Sequence, residues 1–201
     1  FYDGTEAKDQ AVVSDNATFG AKIPYTDTAS VTYNGQNYIL DRVDGAGNTV
    51  TTDADANVVN VYYTLDEIGT DPENPDHPDN VPDKYQVTVT FTAGNHGTVT
   101  GTTTEVITRT DADGNYSENA PVSVKANVTA TPDTGYHITG WTASDGTTFA
   151  DLDAIRTAQF TKDTVLTANF DINVYTVTVV DPNGDRYHRN RSTARRKRRS
   201  G

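Results

Sequence analysis

Residues 85–91, Tyr-Gln-Val-Thr-Val-Thr-Phe, alternate strictly, with Val87, Val89 and Phe91 on one side and Thr88, Thr90 and Thr92 on the other. Val122, Val124, Ala126, Val128 and Ala130 repeat the pattern, as do Leu166, Ala168 and Phe170. A period of two with one apolar and one wet face predicts antiparallel strands covered on one side. Residues 151–155 can form a single helical turn, and little else reads as helix. Earlier in the chain, short strand-like runs occupy 21–23, 31–33, 38–43 and 58–63. Asn34-Gly35 lies between two of them and predicts a type I′ hairpin, because both central positions of that turn need positive φ. Asp44-Gly45 and Gly47-Asn48 mark a further turn.

Between these regions, Pro72, Pro75, Pro78 and Pro82 are set among Asp71, Glu73, Asp76, Asp79 and Asp83. Prolines this dense remove amide donors, so no sheet is expected to run through 69–84, which reads as a semi-rigid, extended acidic spacer. At the far end, Tyr175-Thr-Val-Thr-Val179 matches Tyr85-Gln-Val-Thr-Val89 at four of five positions, ninety residues on. A restart at domain length predicts tandem units. The expected organisation is a β module over 1–68, the linker 69–84, a second β domain over 85–171, the first strand of a truncated third repeat over 172–185, and a basic tail over 186–201.

Composition sharpens this. Leu, Ile, Val and Phe make up 38 of 201 residues, a level that usually signals disorder when net charge is high. Yet Thr, Val, Tyr, Ile, Phe and Trp together number 80, and these are strand formers. The expected class is all-β to α+β: small, tandem, antiparallel or mixed sheets with little helix. The net charge of −12 conceals a division. Residues 1–185 hold all 28 acidic residues against eight basic ones, a formal −20, whereas 186–201 carry +8. An acidic body repels phosphate, which disfavours nucleic acid as its partner. The tail Arg-Tyr-His-Arg-Asn-Arg-Ser-Thr-Ala-Arg-Arg-Lys-Arg-Arg-Ser-Gly leaves three readings open: a nuclear-localisation or nucleic-acid patch, an extension that meets an acidic surface or envelope polymer, or residues foreign to the repeat, as a frame change would produce.

Chemistry is sparse. With no cysteine there is no disulfide, thiolate metal site or cysteine nucleophile. His77, His96, His137 and His188 sit in no metal or triad motif, and no carboxylate pair stands out among 28. No catalytic, cofactor-binding or metal-binding residue is assigned, and the chain is not expected to be an enzyme. Residues 71–84 are similar to Asp-rich calcium loops, but Asn80 stands where glycine would permit the sharp turn, and His77 and Pro75 replace oxygen ligands, so a solvated spacer is favoured. A Lys–Asn crosslink is a further chemistry that the sequence leaves open. No run of 18 apolar residues exists. Phe1 in place of an initiator Met predicts a piece of a longer polypeptide, with any export signal or anchor elsewhere.

One family resemblance is carried by particular residues. Thr131, Pro132, Asp133, Gly135, Tyr136, Gly140 and Trp141, closed by Thr164, Thr167, Ala168, Asn169 and Phe170, resemble the divergent internalin-type (InlB) B-repeat of bacterial surface proteins over roughly 85–171. Residues 1–68, ending in Val-Val-Asn-Val-Tyr-Tyr at 58–63, more loosely resemble a mucin-binding-protein (MucBP) module cut at its first strand. The resemblances imply β-grasp-like units on a Gram-positive or gut bacterial cell wall. They also imply a non-enzymatic extracellular adhesin or stalk that meets host glycans, mucin or extracellular protein, with a ligand-free spacer as the alternative. Read as residues alone, Trp141, Tyr136 and Phe170 are the large side chains that a small domain needs for its core, each able to bury ~150–250 Å². Core packing is therefore expected of Trp141 rather than a sugar-stacking platform.

Overall fold

The computed structural model describes residues 1–7, 16–26, 28–125 and 127–180. Ala126, residues 181–185 of the expected third unit, His188 and the whole basic tail lie outside the described residues.

In the first unit, β1 (Ser30–Tyr33) and β2 (Gln36–Asp44) form the expected hairpin, in register from Ser30 opposite Ile39 to Tyr33 opposite Gln36. Asn34 and Gly35 take φ of 50° and 82°, the left-handed pair that a type I′ turn demands. The third strand, β3 (Asn60–Leu65), pairs antiparallel with β2 through an irregularity between Leu40 and Arg42. Tyr2 bridges Tyr63 in parallel, and the amino terminus of Phe1 donates to Val61 O at 2.7 Å, so the chain start lies along the free edge of β3. Tyrosines build this small core. The Tyr2 ring stacks on Tyr33 at 4.1 Å and meets the edge of buried Tyr38 at 4.8 Å. The 21–23 run, expected as a strand, makes only a single bridge, Lys22 to Thr49.

The second unit holds β4 (Gln86–Ala93), β5 (Gly97–Gly101), β6 (Thr104–Thr108), β7 (Val128–Pro132), β8 (Tyr136–Ala143), β9 (Thr148–Phe149), the helix α1 (Leu152–Thr157) and β10 (Thr164–Ile172). The main sheet has the order β6-β4-β10-β8-β9, with β4 and β10 parallel at its centre and every other pair antiparallel; β5 and β7 form a separate ribbon. Small antiparallel and mixed sheets with one α-helix are the expected class. The alternation of β4 and β10 places Val87, Val89, Phe91, Leu166 and Ala168 in one core with Trp141, Ile155 and Phe160. Asp151 starts α1 as an N-cap, its Oδ1 accepting from Ala154 N at 2.8 Å, which turns Ile155 into the core with no exposed surface. Replacing Asp151 by Ala is expected to cost about 1 kcal/mol in urea unfolding, while Asp151→Ser, which keeps a cap, stays near wild type.

One strand expectation fails for an identifiable reason. The 122–130 run is not one strand: Val122 pairs only with Phe160, and the amide of Lys125 is taken by the Glu105 carboxylate at 3.0–3.1 Å. Val122 and Val124 are still buried, but the ladder starts at Val128. In the expected third unit, residues 173–179 have no ladder partner among the described residues, Val180 makes a single bridge, and 181–185 lie outside the described residues.

Candidate functional site

The junction between the units gathers the most concentrated polar chemistry. Asp66, one residue past β3, is 2% exposed. Its Oδ1 accepts from Asp79 N at 3.2 Å and its Oδ2 from Asn80 N at 3.1 Å. Asp83 Oδ1 accepts from Glu67 N and Ile68 N at 3.0 and 3.3 Å. Asp79 in turn takes the amides of Thr70 and Val81 and the side-chain amide of Gln86, the first residue of β4. Gly69 N donates to Pro75 O at 2.8 Å, closing the segment on itself. The acidic stretch therefore runs through no sheet, as expected, but it is folded back rather than extended. Prolines leave few amides, and carboxylates satisfy several of those that remain. Lys84 adds a tie to the first unit, its Nζ 3.3 Å from Asp41 Oδ1 on β2.

Burial pushes the carboxyls of Asp66 and Asp83 above the usual carboxylate range, against the pull of the amides that each accepts; neighbouring Glu67 adds to both. The turn carboxylates Asp111 and Asp145 move the other way, held down chiefly by the amides of Asn115 and Thr147.

A shallow cleft opens between the β1–β2 hairpin and this knot, lined by Ser30, Thr32, Asn37, Tyr38, Asp66 and His77. Val31, Ile39 and Pro78 line it as well, so its wall is mixed in polarity, and Tyr38 and Asp66 are themselves buried. A second polar surface lies on the outer face of the main sheet. There Thr92, Thr167, Thr142 and Thr148 stand side by side on four successive strands, and Asn169 Nδ2 donates to Thr142 Oγ1 at 2.8 Å. The groove beside them is completed by Ser144 and Val165.

The histidines are not brought together. His77 faces the cleft, His96 stacks on Tyr136 at 4.1 Å, and His137 Nδ1 lies 2.9 Å from Asn173 Oδ1. Among the described residues no three His, Asp or Glu side chains gather as metal ligands. Lys22 Nζ donates to Thr49 Oγ1 at 3.1 Å and Lys84 Nζ to Asp41 Oδ1 at 3.3 Å. Trp141 is 3% exposed and packs edge-on against Phe91 at 5.6 Å, so it is a core residue and offers no sugar platform. Gly140, at φ 133°, lets β8 approach the backbone of Phe149 where a Cβ would collide. No helix among the described residues is long and apolar enough to cross a membrane.

Sequence reasoning did not single out Asp66 and Asp83. Their partners lie 13–16 residues away, beyond any local turn signal.

No curated protein and no solved structure matches the chain. The parallel central pair, the buried Gly-Trp of β8 and the closing Thr-Ala-Asn-Phe of β10 all fall in one segment, and that segment, residues 87–174, matches the family model of the divergent InlB B-repeat domain, a bacterial surface repeat.

Proposed function

We propose that this chain is a non-enzymatic stalk and adhesion segment of an extracellular protein on a Gram-positive cell wall. Its units hold a more distal part away from the cell and add weak contacts of their own. The knot at 66–86 carries this reading. A joint in which Asp66, Asp79 and Asp83 bind amides on both sides of the proline-rich stretch gives two small sheets a set relation, as a spacer under load requires. Contacts come from the junction cleft, where the hydroxyls of Ser30 and Thr32 and the Asn37 side-chain amide meet neutral glycans such as those of host mucin, in keeping with the MucBP likeness of 1–68. Each contact is weak, and repetition along an array multiplies it. The competing reading is a spacer that binds nothing, which the burial of Trp141 favours.

A glycan array probed with the full chain separates the two. Hits on neutral glycans that persist from low to physiological salt support the adhesin reading, since an uncharged contact is little screened. Silence across the array leaves the spacer. Hits that vanish at physiological salt point instead to the basic tail.

A further inference from the structure

After β10 the chain continues as Asn-Val-Tyr-Thr-Val-Thr-Val-Val at 173–180. Val174, Tyr175, Val177 and Val179 are 92%, 76%, 83% and 58% exposed. The matching pattern at 85–89 has a very different fate: Val87 and Val89, between β6 and β10, have no exposed surface at all. Residues 172–180 contain no charge and no proline, so nothing in them resists edge-to-edge pairing. Among 181–201 the hydrophobic side chains are Tyr187 and Ala194, set among eight cations.

We propose that 175–179 is a self-association strand, which pairs antiparallel with the same segment of a second copy about a twofold axis at Val177. In this register Val177 faces Val177 of the second copy, and Tyr175 faces Val179 on the same side of the ribbon. Cross-strand Cβ atoms then lie about 4.5–5.5 Å apart, and aromatic/β-branched neighbours are among the favourable pairs. Charge selects both the partner and the direction. Residues 186–201 carry +8, whereas 85–171 hold ten acidic residues against four basic ones. Antiparallel pairing directs the chain beyond Val180 toward the other copy's acidic second unit; parallel pairing would set two +8 tails side by side. A two-stranded ribbon is marginal alone, so the association is concentration-dependent and weakens as salt is raised.

The test uses the full chain. Light scattering over a rising concentration series is expected to approach twice the 21.7 kDa chain mass. Val177→Lys, which sets two ammonium groups face to face, is expected to remain at the single-chain mass with an unchanged circular dichroism spectrum. Because the chain has no cysteine, disulfide capture reports the register directly. A mixture of Tyr175→Cys and Val179→Cys chains should oxidise mainly to the mixed dimer, with Asp153→Cys as an exposed control that links poorly. A single-chain mass at every concentration, a dimer that survives Val177→Lys, or preferential linking of Tyr175→Cys to itself would each overturn the proposal.

Discussion

Replacing Trp141 by Ala is expected to destabilise the second unit by about 3–5 kcal/mol, the range for removing a large aromatic from a packed core. The site leaves little room for relaxation. Trp141 is 3% exposed, pairs with Ala168 on β10 and with Phe149 on β9, and meets the Phe91 ring edge-on. Its loss thus opens a cavity beside Phe91 in the core that it shares with Val89 and Leu166. Small domains hold only about 5–15 kcal/mol in total, so this one change removes a large share. Thermal unfolding followed by circular dichroism checks it, since Trp141 is also the only tryptophan and its fluorescence disappears with it. Trp141→Phe should recover much of the loss. Val165→Ala, on the outer face of β10 at 42% exposure, should change little. Near-wild-type melting of Trp141→Ala would mean that the aromatic is peripheral and would reopen it as a ligand contact.

Much of this fold is legible because its signals are local. Asn34-Gly35 fixes a hairpin through the φ values that its two residues tolerate, and the alternation of 86–93 and 164–172 identifies a buried and a wet face without knowledge of any partner. Where a competing partner is distant in sequence, the same signals mislead. The 122–130 run has the composition of a strand, but Glu105, twenty residues earlier, takes the Lys125 amide and breaks the ladder. The 175–179 run alternates Tyr175, Val177 and Val179 with Thr176 and Thr178 and still has no ladder among the described residues, because a strand needs a neighbour and pattern supplies none. The junction is the extreme case. Proline spacing correctly excludes a sheet from 69–84, but a fold-back held by Asp66 and Asp83 depends on pairings between carboxylates and amides 13–16 residues apart. The candidate cleft follows from that fold-back, and so it too was out of reach of the sequence.

That junction yields the second large effect. Asp66→Ala leaves the amides of Asp79 and Asn80 without their acceptor, and a buried unsatisfied donor costs about 1–3 kcal/mol. Loss of the carboxylate also removes its own desolvation and its repulsion by Asp79 and Glu67, which offsets part of this. A net loss of about 2 kcal/mol is expected, because two amides lose their acceptor and outweigh the relief of one carboxylate. The pH dependence separates the two contributions. Asp66 and Asp83 bind a proton more tightly in the folded chain than in the unfolded one. Their contribution to stability is therefore greatest below the ordinary carboxylate pKa near ~3.9 and is lost as pH rises through their higher folded values. Asp111 and Asp145 behave oppositely: held low by turn amides, they stabilise at neutral pH and cease to do so as the solution becomes strongly acidic. Urea unfolding of the wild-type chain should thus gain stability on mild acidification from neutral pH and lose it again in stronger acid. In Asp66→Ala the mildly acidic gain should shrink while the strongly acidic loss remains, since Asp111 and Asp145 are untouched. If the two pH profiles run parallel throughout, Asp66 is not the buried, charge-strained cap on which the joint depends, and the set relation between the two units must come from elsewhere.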